Sequence, residues 1–413
     1  MKRKLLSVFA VLLLTVGTGW ADTNGNAHAA YKRGDYAEAL MWYRLSSALG
    51  DADAQNILGD MYGQGQGVTQ DYADALKWYR LAAAQGNASA QFHLGVMSSN
   101  GQGVAQDNAE AVKWYRLAAA QGHANAQFNL GDMYGQGNGV MQDYEDALKW
   151  YQLAAAQGHA SAQFNLGVMS ANGQGVIQDY TEALKWYRLA ATQGDASAQF
   201  NLGVMSANGQ GVMQDYAEAL KWYRLAAAQG DASAQFNLGM MYDTGKGVPQ
   251  DYTEAVKWYL LAAAQGDASA QFNIGNMYYN GQGVAQDYAE ALRWFQLAAT
   301  QGDASAQFML GVMHNFGQVI AQDYTEAVKW YRLAAVQGHA SAQLNLGNMY
   351  HNGQGVAQDY IRAYMWLNLS ASSGKTDALK NRDITARKIT SQQIAQAQIM
   401  ARDCQQTNFK GCK

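Results

Sequence analysis

The chain has 413 residues, 49% of them apolar, with 43 Gly, a single Pro (Pro249) and a formal net charge of −4. Lys2, Arg3 and Lys4 contribute +3 and the tail after Gly374 contributes +5, which leaves −12 on everything between. An acidic body without a basic stripe argues against nucleic acid as a partner.

In chain order, the basic start is followed by an apolar run, Leu5 to Val16, and by the small residues Gly19 and Ala21. This pattern predicts a secretory signal over 1–21, cleaved before Asp22. The run of 12 residues is short of the ~20 that a bilayer span requires, and no later segment approaches that length. Residues 22–50 read as an N-terminal partial repeat or cap, in which Gly34-Asp35-Tyr36 and Trp42-Tyr43 match the second half of a unit that then recurs. From Asp51 to Gly374 nine copies of a 36-residue unit follow. Two of them, 159–194 and 195–230, differ only at His159/Asp195, Ile177/Met213, Thr181/Ala217 and Thr192/Ala228. A fixed period of this size is the signature of a solenoid, in which each unit buries its apolar face against its neighbours.

Within one unit, Ala90, Leu94 and Met97 and then Ala111, Val112, Tyr115 and Ala118 recur in steps of three and four, so each unit is two antiparallel helices. Asp107 with Glu110 is a capping-box signal for the second helix, and Gln121-Gly122 stops it. Asn100-Gly101-Gln102-Gly103-Val104 supplies the turn between the two. Gly95 lies inside the first helix, where Gly costs about 1 kcal/mol relative to Ala. Its recurrence from Gly59 to Gly347 implies a close approach of the paired helix. Trp114 and Tyr115, with their equivalents, are expected in the core. The eighth unit lacks its second turn glycine (Gly317-Gln318-Val319-Ile320), and a distorted turn is expected there. Residues 375–413 read as capping helices and a tail.

The pattern Ala-x-Ala-Gln-Phe-Asn-Leu-Gly-x-Met-Tyr, then Gly-x-Gly-Val-x-Gln-Asp-Tyr-x-x-Ala-x-x-Trp-Tyr-x-x-Ala-Ala-x-Gln-Gly, resembles the Sel-one-like repeat family, a relative of the tetratricopeptide solenoids. The resemblance implies an all-α, right-handed superhelical solenoid of antiparallel helix pairs. It further implies an interaction scaffold, often in exported bacterial proteins; with the signal pattern, the chain is expected to be a non-enzymatic scaffold of the bacterial envelope, periplasmic or secreted, that binds a protein, an extended peptide or a cell-wall polymer through its concave face. Some cysteine-rich members are described as binding cell-wall-type β-lactams, so a β-lactam- or peptidoglycan-binding, β-lactamase-like envelope protein is the alternative. Those members carry a disulfide in each repeat, whereas this chain has only Cys404 and Cys412. An even count in an exported chain favours a disulfide between these two; two free thiols are the alternative.

No catalytic residue, cofactor site or metal site is expected. His123, His159 and His339 replace an Asp at a helix start, which makes them surface caps and not a metal set. Gly63-Gln-Gly65-Gln-Gly67 follows no strand, so it reads as a turn and not as a phosphate loop. Ser372-Ser-Gly-Lys375 matches SxxK without the accompanying motifs. The groove remains. If the first helices line it, Asn129, Asn165, Asn201, Asn237, Asn273 and Asn345 form a row, with Asp60, Asp132, Asn276 and Asn348 one helical turn on. An amide both donates and accepts, so such a row could grip the backbone of an extended peptide, or it could hold neighbouring helices together. The residues that vary between units at the mouth of the turn (Tyr62, Ser98, Tyr134, Ser170, Tyr242, Tyr278, His314) are where specificity is expected.

Overall fold

The computed structural model describes residues 23–407, 409 and 412; the signal expected over 1–21 lies outside them. Among the described residues there are 22 α-helices and no strand, so the protein is an all-α solenoid of helix pairs. The chain divides into two compact parts. The N-terminal part runs to Ala198 and includes Gln210–Val212; the C-terminal part comprises Gln199–Gly209 and everything from Met213. Within each part, second helices pack against the first helix of their own unit and of the next. The partial unit at the start is more complete than the sequence suggests, because a first helix, Thr23–Lys32, precedes Tyr36–Ala48.

Local chemistry sets the helix ends. Asp107 accepts the Glu110 N–H at 3.0 Å and starts the helix Asn108–Ala120. The reciprocal half of the capping box does not form, since Glu110 turns to Lys113 at 2.8 Å. Exposed pairs of this kind contribute only a few tenths of a kcal/mol. A complete capping box is present at Thr390 and Gln393. At the other end, Gly122 takes φ +88°, and the backbone N–H groups of Gly122 and His123 return to Ala119 and Ala118.

The mid-helix glycine is explained by its partner. A Cβ on Gly95 would sit 2.5 Å from the Tyr115 ring, and one on Gly167 would sit 2.6 Å from the Tyr187 ring. The aromatic ring fills the space that the missing side chain leaves. This inward residue is the Tyr and not the Trp beside it. Tyr115 and Tyr187 are almost fully buried, whereas Trp114 is only partly buried and packs against a cluster formed by Leu76 and Tyr79 of the preceding unit and Leu94 of its own. The expectation of Trp as core is corrected to this extent: from Trp42 to Trp330 the residues of this register are only partly buried, and Trp114 and Trp186 pack across the boundary with the unit before. The eighth turn also departs from expectation. Val319 adopts φ +68°, matching Gly283 (φ +70°) and Gly355 (φ +67°) in the neighbouring turns. The turn keeps its shape, and a β-branched residue bears a strain of about 1–3 kcal/mol.

Polar groups also run through the core. Gln91, 5% exposed, donates to the Ala83 carbonyl of the preceding unit at 3.3 Å and accepts from Gln121 at 2.7 Å. The same pair of bonds recurs at Gln127 and Gln157, and at Gln271 and Gln301. The ladder ends at Gln343, whose buried Oε1 has no hydrogen-bond partner among the described residues. The residue 30 positions on is Ser373, not Gln. Ser373→Gln is expected to stabilise the protein by about 1 kcal/mol, the difference between an unpaired buried acceptor and a paired one. Chemical denaturation measures it, and an unchanged midpoint would contradict this account.

Two helices, Thr376–Ala386 and Ser391–Gln406, close the C-terminal end. Ala397, Ala401 and Cys404 cover Tyr364, Met365 and Trp366, so that Trp366 alone of its register is fully buried. Cys404 and Cys412 are bonded, with Cα atoms 4.9 Å apart.

Candidate binding face

The first helices carry the Asn row, and stacking determines what each residue meets. Asn165 donates to Asp132 Oδ1 at 3.1 Å, which also accepts the Tyr151 hydroxyl at 2.5 Å. Two units earlier in the stack, Asp60 accepts the Tyr79 hydroxyl at 2.7 Å, and His93 Nε2 lies 3.3 Å away. His93 stands where later units have Asn, and its ring stacks on Tyr79 at 4.8 Å. Burial raises the pKa of Asp60 and of Asp132, while His93 and the Tyr79 hydroxyl, and the Tyr151 hydroxyl with His159 and Asn165, act in the opposite direction. Burial lowers the pKa of His93 against the pull of Asp60.

Asn129, Asn273 and Asn345 stand beside the hydroxyls of Tyr115, Tyr259 and Tyr331, offsetting part of the rise in pKa that burial imposes on each phenol. Asn237 donates to the Ser233 carbonyl at 2.8 Å. Asn201 occupies the same register of the helix Ala196–Asn208. Asn276 is half-buried, and Asn348 accepts from Asn381 of the capping helix at 2.9 Å. One substitution shows what the amides serve. Where the second-helix aromatic lacks a hydroxyl, at Phe295, the facing row residue is Met309. The row therefore takes part in the stack, and most of its amides retain further donor and acceptor capacity.

The register one turn on is the one that varies. It reads Asp60, Val96, Asp132 and Val168 in the N-terminal part, and Val204, Met240, Asn276, Val312 and Asn348 in the C-terminal part. Two clefts open at this register. One, of about 300 Å³, is lined by Val96, Ser99, Asn100, Tyr115, Asn129, Asp132, Met133, Gln136 and Asn138. The other, of about 210 Å³, lies among Val204, Asn208, Tyr223, Asn237, Met240 and Lys246. Of the turn-mouth residues, Tyr62, Tyr134 and Tyr242 face the preceding unit. Arg44 donates to the Tyr62 hydroxyl and Arg116 to that of Tyr134, both at 2.6 Å. Tyr62 and Tyr134 thus join units to one another.

His123, His159 and His339 are caps, as read, yet they are half-buried. Each accepts a backbone N–H at Nδ1 (3.2, 3.3 and 3.2 Å) and stacks on Phe92, Phe128 or Phe308 at 4.6–4.7 Å. Accepting at Nδ1 requires a neutral ring. Burial lowers all three pKa values; His93 adds to this at His123, Asp132 opposes it at His159, and Lys375 outweighs the opposing Asp303 at His339. The folded protein thus binds these protons less readily than the unfolded chain, so stability is complete above the ordinary His pKa of ~6.5 and falls as pH drops below it. Replacing all three by Asp, the residue used in other units, is expected to flatten the fall of melting temperature between pH ~7 and ~5, each cap contributing about 0.5–2 kcal/mol. Parallel curves for the variant and the parent would contradict this.

Among the described residues no group of three or more His, Cys, Asp or Glu could hold a metal ion. None of the described helices is long and apolar enough to cross a membrane. The Ser372 hydroxyl donates to the Leu369 carbonyl at 2.7 Å and accepts from Gln405.

A stack of near-identical helix pairs defines a repeat scaffold. The model of the Sel1 repeat matches ten consecutive segments, from 26–51 and 52–87 through to 340–375, and the chain belongs to that family. It is similar to a protective antigen present in uropathogenic Escherichia coli strains that displays an SLR fold, at 35% identity over 94% of this chain and 86% of that one, with a TM-score of 0.84. A Sel1 repeat protein from Oxalobacter formigenes is 35% identical over 74% of this chain and 88% of its own, with a TM-score of 0.59. No curated protein matches the chain. Scaffolds of this family generally serve protein–protein interaction.

Proposed function

We propose that this protein is an exported, non-enzymatic scaffold, periplasmic or secreted, that holds a protein or an extended peptide segment on its first-helix face. The observation that carries this reading is the pair of clefts at Asp132 and Met240, where half-buried amides with spare hydrogen-bonding capacity stand beside apolar walls. Main-chain groups of an extended segment need donors and acceptors, and its side chains need pockets; this face supplies both. The envelope location rests on the Lys2–Ala21 pattern and on the Cys404–Cys412 bond, which suits an oxidising compartment. No observation favours the β-lactam-binding alternative.

The test compares capture of a partner from envelope extracts by the parent, by Val168→Arg on the first-helix face, and by Leu153→Arg on the exposed side of a second helix. Capture should fall tenfold or more for Val168→Arg and persist for Leu153→Arg. Loss with Leu153→Arg alone would overturn the assignment of the face.

A further inference from the structure

The two clefts share one architecture and differ in charge. In the N-terminal part, Asp132 and Asn138 occupy the positions that Met240 and Lys246 occupy in the C-terminal part. Asp132 is the one carboxylate lining its cleft, and no Lys or Arg lines it. Its Oδ1 is committed to Tyr151 and Asn165, while Oδ2 has no hydrogen-bond partner among the described residues. A half-buried carboxylate with one oxygen uncommitted has an unfilled demand for a donor, and an ionised donor gives the strongest bond. Val96 and Met133 provide apolar wall for an aliphatic stem, and the cleft of about 300 Å³ has room for a long side chain. In the second cleft the same register is apolar, and Lys246 Nζ lies 5.9 Å from the Tyr216 ring centroid. A cation would meet repulsion there.

We propose that the cleft at Asp132 is a subsite for a cationic side chain, Lys or Arg, presented by an extended segment of the partner. This rests on the reading that the first-helix face holds that partner, and it makes the register of Asp60, Val96, Asp132 and Val168 the determinant of which side chain each position accepts. A stem lying on apolar wall with its charged end at a carboxylate is how long cationic side chains are ordinarily held.

A phage-displayed library of random peptides, selected against the full chain, tests it. Selected peptides should carry Lys or Arg at one position, and Asp132→Asn should weaken them tenfold or more. The Asn retains an acceptor for Tyr151, and its melting curve checks folding independently. Val168→Asp is the second variant: Tyr187 stands to it as Tyr151 does to Asp132, and it should add a second basic position to the selected peptides. Peptides that bind and are displaced by Val96→Arg, yet show no basic preference, would overturn the subsite and leave the binding face standing. Selection that yields only peptides indifferent to Val96→Arg would overturn the face and the subsite with it.

Discussion

Truncating Tyr187 to Ala is expected to cost about 3–5 kcal/mol, the range for deletion of a buried aromatic residue. Its ring is 3% exposed and fills the hollow over Gly167, where an added Cβ would lie 2.6 Å from it. A helix with Gly on that face cannot close the void by itself, so most of the cavity should persist. The adjacent Trp186 provides the comparison. It is only partly buried and packs against a cluster that joins Tyr151 of the preceding unit to Leu166 of its own. With at least about two-thirds of a ~200 Å² side chain removed from water at ~25 cal/mol/Å², Trp186→Ala should cost about 3 kcal/mol, the low end of the range for Tyr187. Urea denaturation of the two variants decides the order. A larger loss at Trp186 would mean that the fastening between units outweighs the closure within one.

Removing residues 124–159 is expected to leave a folded protein, whereas removing 142–159 is not. The first deletion takes out one full period, so His123 becomes the cap of the helix Ala160–Asn172, the role His159 has now. The second helix Asn108–Ala120 then meets Ala160–Asn172 much as Tyr144–Ala156 does, since Ala111, Tyr115, Ala118 and Ala119 match Ala147, Tyr151, Ala154 and Ala155. Nearest-neighbour stacking predicts this tolerance. The shorter deletion strips the helix Ala124–Gln136 of Tyr151, exposing Leu130 and the hollow at Gly131. Circular dichroism should show full helicity per residue and one cooperative transition for the 36-residue deletion. For the 18-residue deletion it should show lost helicity and an early transition. The opposite pattern would place the repeat boundaries elsewhere.

The helix pairs were legible because the same apolar spacing and the same turn glycines recur in every unit. Gly95 announced a close contact, but not which aromatic made it, since Trp114 and Tyr115 are neighbours and only the packed helix shows which one points inward. The glutamine ladder was hidden for a different reason. Gln91 and Gln121 look like surface residues until stacking buries one of them against a carbonyl of the preceding unit. The candidate face was placed by register alone. Its partners, such as Asp132 for Asn165, lie 33 residues apart across a unit boundary and depend on how successive first helices are offset. Likewise the backbone at Val319 follows the stack rather than the local residue.

The central claim is that the first-helix face holds the partner, and photo-crosslinking tests it most directly. Benzoylphenylalanine would be placed at positions 96, 132 and 168 on first helices, and at 117, 153 and 189, the half-exposed leucine register of second helices. Irradiation in the native envelope should give a discrete adduct from the first set and none from the second. Adducts confined to positions 117, 153 and 189 would contradict the claim and move the binding surface to the second helices.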